Sequence, residues 1–358
     1  MSTVSAGIDL EQALADIATA APALDVHPRF PTEAFAGLAS AGALAAGRTS
    51  AEQWSLVREV ARADGSVGRI LDGHLNGVER VGLLGEPQLG VDELEAVAGG
   101  RLLLGVWGAD PVAEEGEGEP ATLETSPNGM TVLRGSKTFC SGAGGVDRAL
   151  VLARAPAGAA PSIAYLDTRD ERCIIDRGWY RAAGLRASES HRVSFDGAPV
   201  MAVLGDPGEL GREPWFGRDA LRTTAHWAGL ADAGADAALH ELAARHCADP
   251  LAALAAGRIA AARTTIDAVL ARAAQAVEID SDEPTAALSV MVRSAVAGAA
   301  GAILDEAARA CGARPFAVGG ALDRARRDLE LFVVQHRLDP LLARIGARLL
   351  RERREDRR

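Results

Sequence analysis

Four cysteines are the side chains whose spacing would reveal metal or redox chemistry in this sequence. Cys140, Cys173, Cys247 and Cys311 lie far apart, and no two of them form a C-x-x-C pair. A structural zinc site gathers its ligands at short spacing, and a disulfide framework needs closely spaced cysteines. The sequence therefore predicts no metal site and no disulfide framework.

The bulk charge and the distribution of apolar residues exclude several classes of partner. The formal net charge is −11, which repels phosphate backbones, and no basic stripe with interleaved aromatic residues is present. No apolar run approaches the roughly 20 residues needed to span a bilayer. The first ten residues lack the basic flank and apolar core of a signal peptide. We therefore expect a cytoplasmic protein that binds neither nucleic acid nor membrane.

The elements that would position a site change character along the chain. Apolar residues recur at helical spacing in the first hundred residues, for example Leu10, Leu14 and Ile17 within 8–21, and Ser50 is suited to cap a helix over 51–63. The middle of the chain has short β-type runs separated by Gly, Pro and Asp. These runs are 102–106, 129–134, 136–140, 149–153, 162–166 and 192–195.

The remainder of the chain is again helical. Five segments have the length of bundle helices, namely 219–245, 251–277, 285–311, 321–334 and 340–353. A chain of 358 residues exceeds the usual size of a single core. We predict an N-terminal helical domain over 1–100, a middle β-barrel or sandwich over 101–205, and a C-terminal bundle of four to five helices over 206–358.

Three segments in this order resemble the acyl-CoA dehydrogenase superfamily, and the resemblance covers essentially the whole chain. Residues 104–111 (LGVWGADP) stand where the family has a strand and loop beside the flavin. Residues 135–143 (GSKTFCSGA) are similar to its Gly-x-Lys-x-Trp-Ile-Thr segment. Residues 184–190 (GLRASES) are similar to its Gly-x-Arg-x-Ser segment. The resemblance implies a mainly helical fold with a central β domain, and FAD as cofactor.

The resemblance also implies a set of flavin-binding residues. Phe139 stands where the family has a ring-packing Trp, Cys140 follows it, and Ser141 stands where a hydroxyl meets the N5 edge of the flavin. Trp107 would line the same cavity. The alternative is that Phe139 and Trp107 are core residues of the β domain, as aromatic residues in strands usually are.

The second half of a flavin site is implied by the C-terminal region. The turn Gly319-Gly320 resembles the family's turn toward the adenine half of FAD, and Arg245 stands where an Arg holds the diphosphate. The aromatic and Gln residues that accompany that Arg in the family are absent here, and Asp249 adds a negative charge. The sequence therefore also fits a weakly held flavin, either FMN or reduced flavin.

The catalytic base of the family is a Glu, and this chain has none at the usual place. His336 falls near that place, and a His can act as a base near neutral pH; it can equally be an ordinary loop residue. Asp219 lies near the base of other family members, or is a helix-start carboxylate stabilised by the helix dipole. His74 and His226 are candidates for the substrate pocket, or are packed helix residues.

Three functions follow from these observations. The first is a flavin-dependent oxidoreductase that oxidises an acyl-CoA-type thioester between its α and β carbons, with hydride transfer to flavin N5. The second is a monooxygenase that uses reduced flavin and oxygen on the same scaffold and needs no base for the α-proton. The third is a degenerate, non-catalytic member. Members of the superfamily are dimers or tetramers, so we also expect a homo-oligomer.

Overall fold

The computed structural model describes residues 9–154, 159–278, 285–335 and 337–356. By their internal contacts the residues form two compact units. One unit comprises Met1–Gly47 and Ser66–Arg212, and the other comprises Arg48–Gly65 and Glu213–Arg358. The segment 48–65 thus groups with the C-terminal part of the chain, although it lies within the first hundred residues. The three predicted domain boundaries stay a prediction.

The first unit begins with helices whose apolar stripes form its helical part. They are α1 (Leu10–Val26), α2 (Thr32–Ser40), α4 (Gly65–Leu84, whose first residue is in the other unit) and α5 (Pro87–Ala98). In α1 the buried side chains are Ala13, Ile17, Ala21 and Leu24, which follow the helical period. The helix runs five residues beyond the predicted end, because Val26 and not Ala21 is its last residue.

Two four-stranded sheets make up the rest of the first unit, as the short β-type runs predicted. One sheet has the order β1-β4-β5-β8 and the other the order β2-β3-β7-β6. Their strands are β1 (Leu104–Trp107), β2 (Thr122–Thr125), β3 (Thr131–Cys140), β4 (Arg148–Ala153), β5 (Ser162–Asp167), β6 (Cys173–Asp176), β7 (His191–Pro199) and β8 (Ala202–Leu204). Pattern analysis missed β2, β6 and β8, which have only three or four residues each.

Strand β3 is one continuous strand where the sequence predicted two. Gly135 separated the two predicted runs, yet the strand passes through it with φ +104°. A Cβ atom there would lie 2.4 Å from the carbonyl oxygen of Pro120, so only glycine fits. The pairing of β3 with β7 shifts register twice, first between Leu133 and Arg134 and then between Lys137 and Cys140. The second shift redirects the end of β3.

The second unit is a helical bundle, as predicted. It contains α3 (Ser50–Ala63), α6 (Trp215–His246), α7 (Pro250–Glu278), α8 (Thr285–Cys311), the single turn α9 (Arg314–Ala317), α10 (Ala321–Val333) and α11 (Asp339–Glu355). Thr49, and not Ser50, caps α3, through a capping box with Glu52. Within the bundle α6 packs against α3, α8 and α10, and α7 packs against α8.

One bundle helix corrects the expectation drawn from the apolar runs. Helix α8 is long and apolar enough to cross a membrane by length and composition, and half of its most apolar window is buried inside the protein. It also buries Ser289 and Arg293. These features are typical of the core helix of a bundle.

Candidate functional site

The end of β3 presents an aromatic ring on a strained backbone. Phe139 has φ +51° and is 52% exposed. Positive φ is uncommon for a bulky residue and costs roughly 1–3 kcal/mol. The ring of Trp179 lies edge-on to that of Phe139, with centroids 4.9 Å apart. The indole N–H of Trp179 donates to Glu117 Oε1 at 2.7 Å, which fixes the orientation of its ring.

A second strained segment lies just before β7. Leu185 (φ +50°) and Glu189 (φ +44°) flank a single 3-10 turn, Arg186–Ser188. These two residues and Phe139 are the non-glycine residues with positive φ in the described part of the chain. Such strain persists only where the surrounding structure enforces it, and it clusters at active and ligand-binding sites.

Hydrogen bonds join the two strained segments into one site. The backbone N–H of Gly142 donates to the carbonyl of Ser188 at 2.8 Å, and that of Ala143 donates to the carbonyl of Glu189 at 3.3 Å. The hydroxyl oxygen of Ser190 lies 2.8 Å from that of Ser141 and 2.8 Å from that of Ser188. The three hydroxyls therefore form a buried chain that ends at Ser141, two residues from Phe139.

A buried lysine holds the neighbouring loop against β3. Lys137 Nζ lies 2.6 Å from Asp110 Oδ1 and donates to the carbonyl of Gly108 at 3.2 Å. The guanidinium of Arg154 lies 2.9 Å from the other oxygen of Asp110. Lys137 is 1% exposed, so the ion pair that satisfies its charge is needed for its burial.

Trp107 supports the site from inside the core. It is 1% exposed, and its indole N–H donates to the carbonyl of Ser141 at 3.1 Å. The side chain of Trp107 thus packs in the core of the β domain, and its place beside a flavin stays a prediction. Phe139 is the reverse case, because its exposed ring is not a core residue.

Cys140 and His74 are also buried. The Cys140 side chain faces the core, where burial raises the pKa of its thiol, and its part in flavin binding stays a prediction. His74 is fully buried in the first unit. Its Nε2 lies 3.0 Å from the carbonyl oxygen of Leu44, and its Nδ1 accepts the N–H of Leu104 at 3.0 Å. Both ring nitrogens bind backbone, and a role of His74 in a substrate pocket stays a prediction.

The two candidates on α6 are engaged within the second unit. Asp219 Oδ1 accepts from the guanidinium of Arg222, which is 2% exposed, at 2.8 Å. His226 is fully buried, its Nε2 lies 2.9 Å from the carbonyl oxygen of Gly65, and its ring packs edge-on against Phe332. His226 is therefore a packed helix residue, and its place in a substrate pocket stays a prediction.

The residues predicted to hold the rest of a flavin are on the surface of the second unit. The guanidinium of Arg245 lies 2.9 Å from Glu241 Oε1, one helical turn earlier. The carboxylate of Asp249 accepts a hydrogen bond from the backbone N–H of Leu251 at 2.8 Å, so it already occupies one of the free N–H groups in the first turn of α7. Gly319 (φ +69°) and Gly320 lie exposed just before α10. Their roles stay predictions, and His336 lies outside the described residues.

Sequence reasoning missed Trp179 and the hydroxyls of Ser188 and Ser190. The two serines belong to the segment recognised by resemblance, but their alignment with Ser141 depends on strand pairing. Trp179 follows β6, a strand too short to predict. No sequence signal marks the left-handed backbone of Phe139, Leu185 or Glu189.

Several solved protein structures are similar to this fold over nearly the whole chain. Dibenzothiophene monooxygenase TdsC from Paenibacillus sp. A11-2 superposes with a TM-score of 0.82 at 21% identity, covering 95% of this chain and 96% of that one. Methanesulfinate monooxygenase MsuC from Pseudomonas fluorescens gives 0.82 at 20% identity, covering 98% and 97%. Butyryl-CoA dehydrogenase from Megasphaera elsdenii gives 0.81 at 17% identity, covering 98% and 99%.

The chain therefore has the acyl-CoA dehydrogenase fold, which confirms the predicted fold class. No protein-family model matches the sequence, and no curated protein matches it either. By name, two of these three similar proteins are monooxygenases and the third is a dehydrogenase, so one fold serves both reactions. TdsC has also been solved with FMN, and with FMN and indole.

Proposed function

We propose that this chain is a flavin-dependent oxidoreductase, and within that class a monooxygenase. The observation that carries the flavin assignment is the exposed ring of Phe139, held at φ +51° two residues before the buried Ser141 in the chain. An exposed aromatic face suits the face of an isoalloxazine ring, and a hydroxyl close by in the chain suits its polar edge. The FMN complexes of TdsC support the same cofactor.

A bound flavin supplies the redox chemistry, by exchanging hydride and, when reduced, by reacting with oxygen. The chain's own residues bind and orient. Phe139 offers its face, and Ser141 offers a hydroxyl whose direction is set by Ser190. Each hydroxyl has one proton and two acceptor sites. When Ser188 donates to Ser190 and Ser190 donates to Ser141, the Ser141 proton is free to donate to a ligand. When Ser141 donates to Ser190 instead, the Ser141 hydroxyl can only accept a hydrogen bond from a ligand.

The preference for a monooxygenase comes from Asp219. A dehydrogenase needs a base free to remove the α-proton of a thioester. Asp219, one of the two candidates for that base, is ion-paired with the buried Arg222. The other candidate, His336, lies outside the described residues. A monooxygenase needs no such base, and two of the similar solved proteins have that activity.

The first experiment is to purify the full chain and titrate it with FMN and FAD, oxidised and reduced. We expect the absorption spectrum of a bound flavin, and its absence would favour the non-catalytic alternative. Reduced flavin and oxygen are then supplied with small aromatic or organosulfur compounds. A product carrying an oxygen atom from ¹⁸O₂ would support the monooxygenase.

The same protein tests the dehydrogenase alternative. Acyl-CoA thioesters of increasing length are added without oxygen, together with an artificial electron acceptor. Turnover in that assay, with no ¹⁸O incorporation in the other, would replace the monooxygenase assignment by an acyl-CoA dehydrogenase.

A further inference from the structure

A cleft in the first unit carries an excess of positive charge that the flavin proposal does not use. Its volume is about 630 Å³. The lining residues are Pro28, Arg177, Tyr180, Arg181, Ala182, Arg186, Glu189 and His191. Three guanidinium groups therefore face one carboxylate, and Tyr180 and Pro28 provide an apolar flank.

The guanidinium groups retain unused donors. Arg177 lies 2.9 Å from Glu189 Oε2, and Arg181 Nε donates to the carbonyl of Gly178 at 2.8 Å. Each guanidinium has five N–H groups in a planar fork that matches an oxyanion. Arg177 and Arg181 each have one such partner in the described part of the chain, so most of their N–H groups are left to bind a ligand.

His191 gives the second, independent sign of a ligand. It is 6% exposed, and neither ring nitrogen has a hydrogen-bond partner among the residues described. Its Nε2 lies 3.7 Å from Glu189 Oε1, beyond hydrogen-bond distance, and Tyr180 packs edge-on against its ring. Leaving a buried polar group without a partner costs stability, and a ligand oxygen in the cleft would supply one.

Glu189 connects the cleft to the strained segment. Burial raises the pKa of Glu189, but His191 and Arg177 outweigh burial and hold that pKa below its ordinary value. The carboxylate is therefore charged, and it competes with a bound anion for Arg177. A Cβ on Gly144 would overlap the carboxylate of Glu189, which explains the glycine at that position.

We propose that this cleft binds the oxyanion group of a small organic molecule, either a carboxylate or a phosphate. The arginines would hold the oxyanion, and Tyr180 and Pro28 would contact the organic body. Arg186 and Glu189 belong to the strained segment next to the proposed flavin site, but no residue of the cleft is proposed to contact the flavin, so anion binding here is a separate claim. Binding can be measured with no flavin added.

The test is calorimetric titration of the full chain with benzoate, phenyl phosphate and inorganic phosphate. Benzoate and phenyl phosphate share a ring, so their comparison separates carboxylate from phosphate. Inorganic phosphate measures the affinity of the cleft for an oxyanion that carries no organic group. The proposal would be overturned if the wild-type protein bound neither benzoate nor phenyl phosphate.

Three variants make the test specific. R181Q removes one donor fork and should weaken binding about tenfold, which is about 1.4 kcal/mol. E189Q removes the competing negative charge and should strengthen binding severalfold, a gain that damage to the fold cannot produce. R172Q is the matched control, since Arg172 is a half-exposed arginine of the same unit that pairs with Asp170 outside the cleft. An equal loss in R172Q and R181Q, or a loss in E189Q, would contradict the assignment.

Discussion

The Ser141 hydroxyl lies 2.8 Å from the Ser190 hydroxyl, although 49 residues separate them in the chain. Strands β3 and β7 pair in the same sheet, and Cys140 is opposite His191. The register of that pairing brings the residues just after β3 to those just before β7. The position of the Ser141 hydroxyl, and so of any group it binds, is thus set by the sheet.

Replacing Phe139 should separate flavin binding from stability. In F139A the ring is lost while the left-handed backbone remains, so we expect flavin affinity to fall about tenfold or more and the free energy of unfolding to change by less than about 1 kcal/mol, since the ring is half exposed. F139W is the control that keeps an aromatic face. Flavin titration by fluorescence and urea unfolding measure the two effects. Unchanged affinity in F139A would remove Phe139 from the site.

Removing the central hydroxyl of the chain of three serines should lower the stability of the protein. S190A leaves the buried Ser141 and Ser188 hydroxyls without this partner, a loss of about 1–3 kcal/mol in the free energy of unfolding. S194A, at a less buried serine of the same strand, should change it by less than about 0.5 kcal/mol. Urea unfolding gives the stability. An S190A protein as stable as S194A would show that the hydroxyl chain is unimportant.

His74 should make stability depend on pH. Burial lowers the pKa of His74 to about 4, against an ordinary value of 6.5. The unfolded chain therefore takes up a proton below about pH 6.5 that the folded chain refuses until about pH 4. The stabilising contribution is complete above pH 6.5 and is lost as pH falls toward 4, with about 2 kcal/mol gone by pH 5.

The control for this prediction is H74Q, whose amide can still donate and accept a hydrogen bond but does not titrate. Urea unfolding at pH 7.5 and pH 5.0 should give a smaller difference for H74Q than for the wild type. Equal differences in the two proteins would assign the pH dependence to other groups.

The ion pairs of the bundle should differ widely in strength. Asp232 is 3% exposed and lies 2.7 Å from Arg58 and 3.0 Å from Arg263. D232A removes this buried carboxylate, while Arg58 keeps Asp267 and Arg263 keeps Asp236, and should cost about 1.5–3 kcal/mol. R62Q breaks the more exposed pair with Asp236 and should cost at most about 1 kcal/mol. Equal costs in the two variants, measured by urea unfolding, would mean that burial does not decide the strength of these pairs.

We also predict that the chain self-associates as a dimer or tetramer. Helix α11 has no fully buried residue in the described chain, and Leu349 and Leu350 are 52% and 75% exposed. Light scattering after size exclusion should give a multiple of the 37.1 kDa chain mass. If α11 forms the contact, L349S/L350S should lower that mass. A monomeric wild-type protein would refute self-association.

Local pattern sufficed for the long helices and failed for the short strands. Helix α8 has the predicted bounds, because its apolar residues recur over many turns and strong breakers flank it. Strands β2, β6 and β8 are held by hydrogen bonds to neighbouring strands, and three or four residues carry too little pattern to reveal them. Trp179 at the site follows one of these strands and was missed with it.

The sequence by itself determined the order of helical, β and helical segments, since periodicity and glycine positions are local properties, and its resemblance to the family placed Phe139 and Ser141 at the end of a strand. Tertiary structure alone decided which aromatic ring is exposed. Phe139 faces outward because the register shift before Cys140 redirects the end of β3, whereas Trp107 is drawn into the core. It also decided that His74 binds two backbone groups and that Ser190 meets Ser141. These contacts join residues that are 30 or more positions apart, and only the packing of the folded chain brings them together.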